Sequence, residues 1–191
     1  MAASKVRFNI HDVKYMTISA LTNTGATTSG TWKDVPGAVN IDLSPVGEQT
    51  NFYADGYAYY TTVANDGYDG DLVMAKIPDD MYQDIWGATV SGTSKLLTED
   101  SDPEPTHVVL SFVIDGDDAS ETFFLYNVMM TRPTVATETN AGSKQPQTQS
   151  VSIQARPLPT GETLARSTAE TTAAMLTTIF TAGTTTSVPI A

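Results

Sequence analysis

Two apolar runs, HVVLSFVI from His107 to Ile114 and ETFFLYNVMM from Glu121 to Met130, are separated only by DGDDAS. No other feature restricts the fold as tightly. Asp-Gly between two apolar runs is a strong hairpin signal. Strands that are apolar on both faces belong in the middle of a sheet, with material packed on either side. Val108, Leu110, Phe112 and Ile114 can face Phe124, Tyr126, Val128 and Met130 or the alternate set, so the register stays open.

A second strand-rich segment runs from Val39 to Gly87. Val39, Ile41 and Leu43 alternate with Asn40, Asp42 and Ser44, which puts an apolar set on one face of a half-buried strand. Tyr57 to Val63 is aromatic and β-branched, and Leu72 to Ile77 is nearly all apolar, as expected of a strand packed on both faces. Asp55-Gly56, Asp66-Gly67 and Asp69-Gly70 supply turns between them. A short helix closes the segment: Pro78 begins it, Asp79 and Asp80 meet its positive end, and Gly87 stops it. Met81 and Ile85, like Tyr82 and Trp86, lie four apart. They form an apolar, aromatic side that should dock on the sheet or on another subunit.

Elsewhere, residues 5 to 20 read as a first strand or an arm. Residues 22 to 31, TNTGATTSGT, read as a flexible loop, and SDPEPT from Ser101 to Thr106 as another. Residues 133 to 149 are polar. Val151, Ile153 and Ala155 alternate with polar neighbours in a further strand that Pro157 and Pro159 end. Beyond Gly161 the chain turns to Thr and Ala. Ser167 with Glu170 fits a capping box, and Leu176 with Phe180 fits a helical face, so a helix is expected over 168–182, with Gly183 to stop it and a mobile tail after it. The expectation is one mostly-β domain over 1–160, a sandwich or partly open barrel of about seven strands with one short flanking helix. Residues 161–191 form a Thr-rich extension.

The chain has 191 residues, no cysteine and a net charge of −12. That length suits one domain with a full core. Disulfides and thiolate metal sites are excluded. No apolar run is long enough for a membrane span or a signal peptide, so a soluble, non-secreted protein is expected. Between Asp34 and Glu121 lie 18 of the 22 acidic residues and only two basic ones, Lys76 and Lys95. Such a field repels a phosphate backbone and lacks the Lys/Arg footprint of a nucleic-acid binder.

Motifs for chemistry are missing. His11 and His107 are far apart, and there is no G-x-S-x-G, H-E-x-x-H or P-loop. NDGYDGD, from Asn65 to Asp71, brings carboxylates together but fails calcium-loop spacing: Tyr68, Gly70 and Ile77 fall where ligands are needed. No metal and no cofactor is expected. Tyr57, Tyr59, Tyr60 and Tyr68 have acidic neighbours rather than the cations of a base-stacking platform, which favours core or subunit-contact roles.

The combination of NIDLSPVGEQTNFYADG, GDLVMAKIPDD and Trp86-Gly87 resembles the phage major tail proteins, the tail tube subunits of long non-contractile tails of phages infecting Gram-positive bacteria. Asn127-Val128, Arg132-Pro133, Thr137-Glu138, Gln147-Thr148 and Ala155-Arg156-Pro157 follow in the order such proteins show. The likeness covers roughly residues 5 to 160. It implies a tube fold with a flanking helix, six copies closing into a ring, and rings stacking into a tube through which DNA passes without specific binding. Tape measure and tail completion or initiator proteins are the other partners it implies. The location would be the virion tail, assembled in the host cytoplasm, with no membrane contact and no enzyme activity. Under that implication Asp42, Glu48, Asp55, Asp66, Asp69 and Asp71 are candidates to face the lumen. Met81, Tyr82, Ile85 and Trp86 are candidates for a subunit seam, or simply cap the barrel. Loops such as Thr22 to Thr31 and Gly47 to Gly56 would reach the neighbouring ring. The alternative is an acidic β-sandwich module that binds a partner or carbohydrate, marked by an exposed aromatic groove. A hydrolase with a carboxylate pair has the least support.

Overall fold

The 107–130 hairpin is the centre of the molecule. In the computed structural model, which describes residues 5–23, 25–137, 139, 146–168 and 170–181, it forms strands β9 (Val108–Gly116) and β10 (Glu121–Met130). Before them come β1 (Arg7–Thr22), β2 (Gly25–Asp34), β3 (Ala38–Val46), β4 (Gln49–Ala54), β5 (Tyr57–Val63), β6 (Gly67–Met74), helix α1 (Asp79–Trp86), β7 (Thr89–Val90) and β8 (Leu97–Thr98). After them come β11 (Gln149–Ala155), β12 (Leu164–Arg166) and helix α2 (Ala173–Thr181). Eight strands form one antiparallel sheet in the order β2-β1-β9-β10-β11-β6-β3, with β12 also paired to β10. The sheet curls until β1 approaches β3, giving a mostly-β, partly open barrel.

The register left open by the sequence is resolved by a bulge. Phe123 lies opposite Phe112 and Leu125 opposite Leu110, but the next pair is Val128 with Val108. The extra residue in β10 reverses the alternation. Phe123, Leu125, Val128 and Met130 therefore all join Val108, Leu110 and Phe112 in the main core, while Phe124 and Tyr126 enter a second cluster on the other face. The bulge coincides with a change of neighbour. Phe123 to Leu125 pair with β12, and Val128 to Met130 pair with β11. Asn127, only 7% exposed, fills the junction. Its Oδ1 meets Nδ1 of His107 at 2.6 Å, and its Nδ2 donates to the Pro157 carbonyl at 3.4 Å.

Helix α1 plugs the barrel. Met81, Ile85 and Trp86 are buried in the main core, each burial contributing about 1.5–3 kcal/mol. The Trp86 indole N–H donates to the Met130 carbonyl at 3.0 Å. Gly87 ends the helix with φ 67°, a left-handed conformation suited to glycine. Polar contacts fix the plug as well. The buried Tyr15 hydroxyl of β1 donates to Asp84 Oδ2 at 2.7 Å, and Lys33 Nζ of β2 donates to the same oxygen at 2.6 Å. Burial, reinforced by Asp84, pushes the Tyr15 phenol far above its ordinary range.

Several expectations need correction. The flexible loop expected over 22 to 31 is strand from Gly25 onward: Gly25 to Asp34 pair with β1, and Ala26 and Thr28 are buried, while Thr24 lies outside the described residues. β-branched threonines suit a pleated, half-buried surface, and the long partner strand sets their conformation. Val39 is exposed, because a register shift between Ala38 and Asn40 turns it outward while Ile41 and Leu43 still pack on the core. Gly47 to Gly56 is largely strand β4, which pairs with β5 in a separate two-stranded sheet. Tyr57 to Val63 is a strand, as expected, but an exposed one along its whole length, so its tyrosines are not core residues.

The expected boundary at residue 160 coincides with no break in packing. β12 pairs with β10, and Leu176, Ile179 and Phe180 of α2 pack on the second cluster beside Trp32 and Phe124. The helix starts at Ala173, not at 168. Ser167 does not cap it, because the Ser167 hydroxyl accepts from the Thr122 amide at 2.8 Å. Thr172 takes that place, accepting from the Met175 amide at 3.3 Å. Position 182, Gly183, the terminal tail and Glu138 lie outside the described residues.

Candidate functional site

The outer surface of the sheet has two unlike halves. Over β1, β2, β9 and β10 it is apolar and covered by α2. Over β11, β6 and β3 no helix covers it among the described residues. Leu72, Met74, Val151, Ile153, Ile41 and Leu43 point into the core, so strict alternation sends their neighbours outward. Across these strands Asp42 lies opposite Asp71, which lies opposite Ser152. The next row out is Ser44, Asp69 and Gln154. The result is a polar, acidic strip of short side chains.

Three of the six candidate acids are thus brought together on one face: Asp42, Asp69 and Asp71. Like charges directly opposite one another are destabilising, and local partners moderate the effect here. Ser152 donates to Asp71 at 2.7 Å, and Arg156 Nη1 donates to Asp69 at 2.6 Å. Close backbone approach is part of the same design, since a Cβ on Gly70 would sit 1.7 Å from the Asp42 carbonyl oxygen. Glu48 and Asp66 lie instead at the base of the β4–β5 hairpin, where the Asp66 amide donates to the Val46 carbonyl at 2.8 Å. Asp55 is in the turn at the hairpin tip, with φ 53°.

Of the four candidate seam residues, Met81, Ile85 and Trp86 spend their surface inside their own barrel. Only Tyr82 retains exposure, its ring 5.2 Å from that of Trp86 and tilted 60° to it, lining an open cleft of about 530 Å³ with Lys76, Leu97 and Glu99. Burial, with help from Glu99 and Asp79, raises its phenol above the ordinary range.

The largest collection of exposed apolar side chains lies elsewhere, on the β4–β5 hairpin; sequence reading gave Tyr57, Tyr59 and Tyr60 core or subunit-contact roles and let Gly47 to Gly56 reach a neighbouring ring, but named none of them among the seam residues. Phe52, Tyr53, Tyr57, Tyr59, Tyr60 and Val63 are all 55–70% exposed. Phe52 lies opposite Tyr60, and the rings of Tyr57 and Tyr59 are 6.0 Å apart. The available signal was the run of aromatics without acids or bases between Asp55 and Asp66. An isolated two-stranded hairpin is marginal in water. A hairpin with no side chain buried against its own domain is a candidate contact surface.

The histidines do not build a nucleophile. His11 Nε2 meets Asp115 Oδ1 at 3.0 Å, and the Ser120 hydroxyl donates to that same oxygen at 2.9 Å. Serine and histidine therefore share an acceptor instead of bonding one another, the reverse of the nucleophile–base contact required. These contacts dock the N-terminal arm. Asp117 Oδ1 accepts from the Lys5 amide at 2.6 Å, and Arg7 Nη2 donates to Glu121 at 2.8 Å. The Lys5 amide holds the Asp117 carboxyl below its usual range.

No protein-family model matches the chain, and no curated protein matches it in sequence. Among solved structures, it is similar to a chain of the anti-feeding prophage (AFP) baseplate, determined by cryo-electron microscopy and six-fold symmetrised. The TM-score is 0.50 at 10% identity, covering 90% of this chain and 100% of that one. A chain of the AFP tube-terminating cap aligns over 88% of this chain and 97% of that one at 14% identity. With a TM-score of 0.37, this second likeness carries no argument. The first shows a shared fold.

Proposed function

We propose that this chain is a structural subunit of a phage-type tail, one that assembles into hexameric rings stacked as a tube for DNA passage. The observation that carries the reading is the β4–β5 hairpin, whose aromatic side chains stay 55–66% exposed in the single chain. A fold shared with a component of a six-fold baseplate supports it, as does the tail-protein resemblance of the sequence. Tape measure and tail completion proteins would be its other partners, and the virion its location.

The acidic strip fits the same role. A conduit must pass a polyanion without holding it, and carboxylates with short hydroxyl and amide neighbours, with Arg156 already paired to Asp69, offer DNA little positive charge to stall on. Asp42, Asp69 and Asp71 are the acids we assign to the lumen. Glu48, Asp66 and Asp55 belong to the hairpin and would meet a neighbouring subunit. Tyr82 is the residue of α1 that would face a seam.

Negative-stain microscopy of the purified protein tests the assembly: rings or tubes are expected, and a protein that stays monomeric at every concentration refutes it. Replacing Asp42 and Asp71 by Lys in assembled tails should slow DNA release, with the slowing relieved by salt. Unchanged release kinetics would remove these residues from the lumen. One observation favours a second reading, a carbohydrate- or partner-binding module: the exposed tyrosines suit sugar stacking. It predicts glycan binding by a monomer.

A further inference from the structure

Helix α2 is apolar on both sides. Leu176, Ile179 and Phe180 face the sheet, yet the opposite side offers Ala173, Ala174 and Met175, with Met175 56% exposed. Thr177 and Thr178 do not make that side polar. Their hydroxyls donate to the carbonyls of Ala173 and Ala174 at 2.8 and 2.9 Å, so their hydrogen bonds are met within the helix. From Thr171 to Ala191 the sequence has no charged side chain, in a protein of net charge −12. A helix apolar all round is the kind that is covered all round.

The hairpin has matching properties. Between Gln49 and Val63 the only charge is Asp55, in the turn. Gln49, Asn51 and Thr61 satisfy one another, with Asn51 Oδ1 accepting from Thr61 at 2.8 Å and from Gln49 at 3.4 Å. The rings of Phe52, Tyr57, Tyr59 and Tyr60 are left to meet a partner. Copies of so acidic a chain repel one another, and contact is least opposed where both surfaces are neutral. Large rings also fit a helix face of small side chains, which leaves them room to lie flat.

We propose that the aromatic hairpin of one copy docks on the outward face of α2 in the next copy. This deepens, and rests on, the reading of the chain as a self-assembling subunit. The contact is heterologous: each copy offers a hairpin and receives one, which generates a closed ring or an open stack according to its rotation.

The chain has no cysteine, which makes engineered crosslinks clean. Tyr59→Cys in one preparation and Thr178→Cys in another should, when mixed and mildly oxidised, give hetero-dimers in excess of either homodimer. One chain carrying both substitutions should give a ladder of multimers. Met175→Glu changes an exposed residue and leaves the fold intact, and it should weaken self-association by about tenfold or more. Tubes that form without the hetero-crosslink, and tubes unaffected by Met175→Glu, would overturn the docking and leave the subunit reading standing. Absence of any association in the unmodified chain would overturn both.

Discussion

Asp84 is the polar pin of the α1 plug, and its removal has a calculable effect. In Asp84→Ala the Tyr15 hydroxyl, on a residue 1% exposed, loses its acceptor. A buried donor left unsatisfied costs about 1–3 kcal/mol. The Lys33 side chain is 43% exposed, so its ion pair adds less than about 1 kcal/mol. The expected loss is therefore about 2–3 kcal/mol, against about 1 kcal/mol for Asp84→Asn, which keeps an acceptor oxygen. Tyr15→Phe removes the donor instead and should cost about 1 kcal/mol, because Asp84 retains Lys33. In the double variant no hydroxyl is left wanting, so the combined loss should fall short of the sum by about 1–2 kcal/mol. Urea unfolding of all four proteins, followed by tryptophan fluorescence below assembly concentrations, measures the cycle. Additivity within about 0.5 kcal/mol, or an Asp84→Ala protein as stable as the parent, would refute the pin.

Gly70→Ala should lose at least about 2 kcal/mol, since its methyl would enter the Asp42 carbonyl and push β3 off β6. Gly56→Ala has open space around it but φ +82°, so it should lose only about 1 kcal/mol; thermal melts separate the two. The Ser111 hydroxyl is buried with no partner among the described residues, so Ser111→Ala should be neutral or raise stability by up to about 1 kcal/mol in the same melts. At His11 burial opposes the charged form, but the hydrogen bonds its ring donates to Asp115 and Asp12 outweigh it and raise the pKa above 6.5. Its stabilisation of the N-terminal arm is thus full below pH 6.5 and lost as pH rises through the raised value. The Asp115 carboxyl is lowered by Ser120 and His11, so its share is present above 3.8 and lost as pH falls through the depressed value. Amide exchange at residues 7–12, corrected for intrinsic rate, should show more protection at about pH 6 than at about pH 8.5, and His11→Gln should flatten that difference.

The sheet centre was legible because its hairpin combines a turn signal with strands too apolar to sit anywhere else. Its register was not, since the bulge around Asn127 depends on which strands β10 meets on its far side. Val39 was misassigned for the same reason: one shifted residue inverts a face. β2 was hidden because threonine and glycine take their conformation from a partner strand, and here that partner is β1. On the functional side, alternation placed Asp42, but Asp69-Gly70 was read as a turn, and it is pairing with β3 and β11 that draws it into strand β6 and puts Asp42, Asp69 and Asp71 on one surface, while Glu48, Asp55 and Asp66 went with a hairpin whose orientation no local pattern encodes. The apolar side of α1 was read correctly as a docking face. That it docks inside its own barrel is a matter of tertiary closure, which spacing by fours does not carry.

The hairpin separates two kinds of selection. Because its aromatic rings contribute nothing to the core, substitutions there should leave melting temperature almost unchanged while altering which copies recognise one another. A lineage can then diverge in assembly specificity without passing through unstable intermediates. Conversely, a screen that ranks variants by thermal shift would pass every substitution of those rings as healthy, including those unable to build anything.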